Sequence, residues 1–302
     1  MTEFTTPSGE GPPATAAETW VVSTDLGFEV LESCEVVLQV MASTSAGRVR
    51  AERFEVNTDG HPSASPVELA AAHGARVQVL HAPPGSLTVS YRAELQRVSD
   101  GTHGQRGQGP DRSDLPDDRD ADLARLVYLR PSRYCPSDHL VGFAVAEFGM
   151  ASTVGDRVAS IADWIRERVG YVAGSSSVHD SAEDTLLTGM GTCRDFAHLG
   201  VALCRAVGIP ARFAAVYAPG LAPMDFHAVF EAQECDGRWY AYDATDLAPR
   251  RSMVRIVTGR DAADAAFASV NRGIATLETV EVSATTGGPL PAEDRALAVE
   301  LP

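Results

Sequence analysis

The chain has 302 residues, 44% of them hydrophobic and 22% charged, a globular composition with room for two domains and a sizeable core. Its 25 Lys and Arg stand against 41 Asp and Glu, and the formal charge of −16 repels phosphate backbones and anionic membrane surfaces, so neither nucleic acid nor a membrane is an expected partner. The five cysteines, at 34, 135, 193, 204 and 235, are not closely paired, which predicts reduced thiols; with no leader-like start and no apolar run approaching ~20 residues, the cytoplasm is the expected compartment.

Residues 1–19 are rich in Ser, Thr, Pro, Gly and Ala and predict a flexible tail. From Trp20 to residue 97 the hydrophobic period is two. In SLTVSYRAEL, Leu87, Val89, Tyr91, Ala93 and Leu95 face one way and Thr88, Ser90, Arg92 and Glu94 the other. EVVLQV and ARVQV repeat the pattern, and VRAERFEV changes phase at Glu52 and Arg53, where a bulge or a crossing between sheets is expected. This region predicts an antiparallel β-sandwich-like domain. Residues 98–130 read as a polar loop or linker, 131–287 as an α+β domain and 288–302 as a C-terminal tail.

The period turns helical after Pro131. Val158, Ile161, Ile165 and Val169 form one apolar stripe in DRVASIADWIRERVGY, and a shorter helix opens at a Ser181 cap and stops at Gly189. A third helix carries GTCRDFAHLGVALCRAVG and ends at Gly208, ahead of Pro210. Strands are expected in FHAVFEA and RWYAYDA.

Cys193 falls in the first turn of that third helix, where unpaired N–H groups and the dipole's positive end suit a thiolate and an oxyanion alike. Position alone leaves catalysis and packing both open. Cys204, at nearly the same azimuth but about 16 Å along the axis, is expected in the core. His198 lies about 140° around the helix from Cys193, so it is read as a structural partner of Asp195 with second-shell potential. His227, 34 residues downstream on a strand, is the better base. The hairpin after it selects the acid that would hold its ring. A two-residue Asp236-Gly237 turn would put Asp246 on the His227 face, whereas the loop Cys235-Asp236-Gly237, with Gly237 in the left-handed position of a common bulged turn, puts Asp243 there together with Trp239. Trp239 is expected in the core or lining an acyl channel. No paired metal-ligand spacing joins Cys193, His198 and His227, and no metal or cofactor is expected.

GTCRDFAHL, DFHAVFE and RWYAYDAT, in that order, resemble the transglutaminase-like branch of the papain-like thiol enzymes. WVVSTDLGFEV through SYRAEL is similar to the β-rich N-terminal region of bacterial members, and the likeness spans residues 20 to 285. The resemblance implies Cys193 as nucleophile, His227 as base and Asp243 as orienting acid. It also implies acyl transfer on a protein or peptide carboxamide through a thioester. An amine that resolves the thioester makes a transglutaminase; water makes a cysteine protease or amidase. A binding module that keeps the fold without turnover is the third reading. The family often has Asp-Pro-Thr where this chain has Asp243-Ala244-Thr245.

Overall fold

The structure is a computed structural model that describes residues 19–58, 65–96, 119–151 and 153–302. Residues 1–18 of the expected tail and 98–118 of the expected linker lie outside the described residues; Thr19 opens a strand, and 119–127, expected as linker, are helical.

Strand β1 (Thr19–Glu32) is the spine of the N-terminal region. It pairs antiparallel with β6 (Gly85–Gln96), β6 pairs with β3 (Arg48–Thr58), and β14 (Ile274–Thr286) closes the other edge, giving the order β14-β1-β6-β3. The second sheet runs β13-β2-β5-β4, built from β2 (Cys34–Leu38), β4 (Val67–Ala70), β5 (Arg76–Ala82) and β13 (Ala268–Asn271). Alternation drives this architecture: Leu87, Val89, Tyr91, Ala93 and Leu95 are all buried, as are Trp20, Val22 and Leu26 opposite them.

Three features differ from the local reading. The slip of register in β3 falls between Val49 and Ala51, upstream of Glu52 and Arg53; β3 is an edge strand exposed along its first half, so the apolar pattern there does not report burial. Strands β13 and β14 return from the far end of the chain to join the two N-terminal sheets, so the unit expected over 131–287 contributes two strands to the sandwich. Residues 288–302, expected as a tail, pack down instead: Val299 and Leu301 are buried, the Ala241 N–H donates to Val299 O at 2.8 Å, and Arg250 holds Glu293 at 2.7 Å.

The second layer is a four-stranded antiparallel sheet in the order β11-β10-β9-β12, with β9 (Ala211–Tyr217), β10 (Phe226–Gln233), β11 (Trp239–Tyr242) and β12 (Val254–Gly259). Around it lie α1 (Arg119–Val127), α2 (Val141–Phe148), α3 (Val154–Arg168), α4 (Ala182–Thr188) and α5 (Cys193–Ala206). The stripe of α3 is buried at Val158, Ile161 and Ile165, and Val169 follows it into the core. Ser181 caps α4, and Gly189 ends it in the left-handed conformation at φ 66°. Helix α5 is buried along most of its length, including Asp195, His198 and Arg205 on its polar flank. A Cβ at Gly200 would stand 2.5 Å from the Phe230 ring, so the missing side chain lets α5 lie directly on β10.

One cluster of buried side chains joins the sandwich to the sheet of β9, β10 and β12. Tyr217 of β9 donates its hydroxyl to Val40 O at 2.6 Å and accepts from Thr24 Oγ1 at 2.6 Å, and its ring stacks on Tyr91 at 6.5 Å between centroids. Among the described residues no helix is long and apolar enough to cross a membrane.

Candidate active site

Helix α5 brings Cys193 to the surface of a cleft. Two short strands, β7 (Gly170–Tyr171) and β8 (Met190–Gly191), form a parallel ladder just ahead of the helix and hold its start in place. Thr192 precedes the first helical residue, and the Asp195 carboxylate reaches back to accept from the Thr192 backbone N–H at 2.7 Å and from its hydroxyl at 2.9 Å. The other Asp195 oxygen accepts from Ser176 Oγ at 2.9 Å. These bonds settle the role of Asp195. The Asp195–His198 pairing expected from their spacing is not made, because the capping position claims the carboxylate first.

His198 is fully buried and stacks on Tyr134 with ring centroids 5.1 Å apart. Its Nε2 accepts from the Ala262 N–H at 3.1 Å, and its Nδ1 has no hydrogen-bond partner. Burial holds its pKa well below the ordinary histidine range, with the Asp261 charge pulling the other way. The ring is therefore a neutral prop between α5 and the 261–262 turn.

His227 lies near the start of β10, and the β10–β11 hairpin sets what it meets. Phe230 pairs with Tyr242, Glu231 with Ala241 and Gln233 with Trp239, the register of the three-residue loop, and Gly237 takes φ 79° within it. That register carries Asp243 to the His227 face. His227 Nε2 and Asp243 Oδ2 are 2.8 Å apart, with side chains 0% and 3% exposed. Burial alone would lower the His227 pKa, but the Asp243 charge and hydrogen bond, helped by Cys193, carry it up to about 10. For Asp243 burial pushes up, yet His227 and Thr245 hold the carboxyl below its usual range. The other Asp243 oxygen accepts from the Thr245 N–H at 2.8 Å and its hydroxyl at 2.7 Å, so the carboxylate is gripped from both sides. Asp246 is turned away at φ 58° and pairs with Arg295.

The Nδ1 of His227 has no partner at hydrogen-bond geometry, while Cys193 bears on the charge of the same ring. Thiol and imidazole are thus neighbours whose bond is left open on the cleft side. Both line a cavity of about 550 Å³.

Two further residues complete the account. Trp239 sits at the opposite end of the hairpin from His227, about 20 Å away at the rise of a strand. It packs edge-on against Tyr128 and under the Arg212 guanidinium at 4.3 Å, so it lines no channel at Cys193. Tyr171 is the residue that sequence reasoning missed. Burial raises its pKa, Cys193 and Asp225 add to the rise, and the Cys193 backbone N–H beside its hydroxyl pulls the other way, which places the phenol at the thiol. Its only signal was an aromatic ahead of a Gly/Ser loop.

The family model of the transglutaminase-like superfamily matches residues 144–244, a span that contains Cys193, His227 and Asp243. The crystal structure of a candidate cysteine protease from Cytophaga hutchinsonii is 34% identical, superposes with a TM-score of 0.81, and the match covers 94% of this chain and 97% of that chain. This chain belongs to the transglutaminase-like superfamily. Its α+β fold with a β-rich N-terminal region is the architecture of that relative, and it places the protein among the papain-like thiol enzymes. An uncharacterized protein of Mycobacterium leprae is 29% identical over 145 residues, 46% of this chain; the match spans about half, 52%, of that protein's length. The periplasmic domain of TgpA from Pseudomonas aeruginosa aligns at 17% identity over 78% of this chain and 92% of that one, with a TM-score of 0.39.

Proposed function

We propose that the protein acylates Cys193 with the acyl part of a protein or peptide carboxamide, with His227 as base and Asp243 as the group that holds the imidazole. The observation that carries this reading is the 2.8 Å contact between His227 Nε2 and Asp243 Oδ2, which fixes the ring so that its other nitrogen is free for the thiol. The Cys193 sulfur attacks the carbonyl carbon, the N–H groups at the start of α5 hold the oxyanion, and His227 gives its proton to the leaving amine. A thioester remains on the enzyme.

Water is the acceptor we favour for that thioester, which makes the protein a peptidase or amidase; the likeness to the Cytophaga candidate cysteine protease supports this over amine transfer. All five cysteines are free, which fits a reducing compartment such as the cytoplasm. The test is to incubate the protein with peptide amides and a primary amine, then to measure by mass spectrometry both the acyl adduct on Cys193 and the products. Free carboxylic acid is expected. A product that carries the added amine would make the protein a transglutaminase, and absence of any Cys193 adduct would remove the acylation itself.

A further inference from the structure

The cavity at Cys193 and His227, about 550 Å³, is of a size that ordinarily holds a small organic group. Its polar side chains are unevenly spread. Arg194 and Asp225 stand beside Cys193 and His227 in the chain, at the reacting end. The rest of the lining is mostly apolar, with Phe213, Ala215, Phe226, Ile256, Ala266 and Phe267, and the hydroxyl of Tyr134, which also lines it, donates to Val178 O at 2.9 Å. Phe226 and Phe267 stack at 5.0 Å, and the alanines elsewhere on the wall leave the space. The one polar side chain contributed by the sandwich, Gln39, gives its amide hydrogens to Asp264 O at 3.1 Å and Ala266 O at 3.2 Å. Its backbone N–H donates to Phe267 O at 2.9 Å. Gln39 therefore holds the 264–267 segment as a wall, and Val280 of β14 lines the same cavity.

We infer that this cavity takes the acyl side of the substrate and selects an extended apolar group next to the reacting carbonyl, with the N-terminal sandwich supplying one wall through Gln39 and Val280. The inference rests on the acylation of Cys193 proposed above. A polar chain end lodged among these rings would lose its water without regaining hydrogen bonds, whereas an alkyl or aromatic group loses nothing. The sandwich is thereby part of the specificity of the enzyme.

The experiment compares p-nitrophenyl acetate, p-nitrophenyl hexanoate and mono-p-nitrophenyl adipate, the last as long as the second but ending in a carboxylate. In each the Cys193 sulfur–carbon bond forms as the bond to the aryl oxygen breaks and p-nitrophenolate leaves. Water then attacks the thioester, the carbon–sulfur bond breaks, the carboxylic acid is released, and the thiol regains its proton. With Cys193→Ala as the blank, kcat/KM for the hexanoate should exceed that for the acetate by at least about tenfold, and the adipate should fall back to the acetate or below. Ala266→Trp, which fills the cavity from a surface segment, should erase the preference, and so should Ala215→Leu, with thermal midpoints confirming that each variant is folded. Equal rates, or a lead for the adipate, would overturn the apolar assignment while leaving the acylation standing. So would a hexanoate preference that survives both variants. No release above the blank with any ester would instead sink the acylation, and this inference with it.

Discussion

The ring of Phe230 fills the place that a side chain at Gly200 would need: a Cβ there would lie 2.5 Å from two of its atoms. This contact seats α5, which carries Cys193, on β10, which carries His227 three residues before Phe230.

Gly200→Ala should therefore act on both elements at once. The buried ring has no room to retreat, so overpacking should cost about 1–3 kcal/mol in urea denaturation, although alanine is the better helix former. Because the strain falls between Cys193 and His227, the proposed nucleophile and base, labelling of Cys193 by iodoacetamide should slow as well. A variant as stable as the parent would show that the sheet yields more easily than the contact implies.

Much of this arrangement was legible in the chain because it is local. The loop Cys235-Asp236-Gly237 sets a hairpin register by turn geometry alone, and that register decides between Asp243 and Asp246. The stripe of α3 and the Ser181 cap are local in the same way. What could not be read depends on contacts distant in sequence. Nothing in ASVN or IATLETVEVSATT says that these strands pair with β2 and β1, more than two hundred residues earlier. Asp195 is spaced equally well for His198 and for a capping position, and only the backbone N–H of Thr192 breaks the tie.

Thr245 grips the far oxygen of Asp243 through its hydroxyl at 2.7 Å and through its backbone N–H at 2.8 Å. Thr245→Val removes the first bond and keeps the second. A hydrogen bond to a charged group contributes about 1.5–3 kcal/mol, so acylation of Cys193 should slow by about tenfold or more as the carboxylate gains freedom. Thr245→Ser should restore most of the rate. Equal rates in Val and Ser variants would mean that the backbone bond alone fixes Asp243.

The pair should also mark the stability profile. His227 is raised to about 10, so its contribution is fully present below its unfolded value near 6.5 and is lost as pH rises through about 10. Asp243 is lowered, so its contribution is present above its unfolded value near 3.8 and is lost as pH falls through the depressed one. These are two limbs of one coupled pair and do not add. The stability difference between the parent and His227→Gln should be widest near pH 6 and shrink toward pH 10.5. A difference that stays constant across that range would count against a charged His227.

Thiol access separates the five cysteines. Cys34, Cys135 and Cys204 are buried, and burial pushes all three thiols up; Cys193 is half-buried at the cleft and Cys235 is exposed. A native-state maleimide reaction should modify two sites and a denatured one five. Peptide mapping should find Cys193 and Cys235 in the first case. Native labelling of Cys204 would mean that α5 opens readily from the sheet.

The two buried histidines should fail in different ways, since each is held by a different kind of partner. His227 rests on a carboxylate and neighbours Cys193, so in the proposed mechanism its loss removes the acid that protonates the leaving amine. Losses of this kind in triads reach several powers of ten, and His227→Ala should form no measurable acyl-enzyme in a single turnover. His198 instead accepts one backbone hydrogen bond, from Ala262, and fills a slot between the rings of Tyr134 and Phe213. His198→Ala leaves that part-buried N–H without its partner and empties the slot between the rings, so its thermal midpoint should drop while acylation below that midpoint stays within about tenfold of the parent. The assignment turns on measuring both quantities in both variants. An inactive His198→Ala of parental stability, beside an active His227→Ala, would reverse the roles of the two residues.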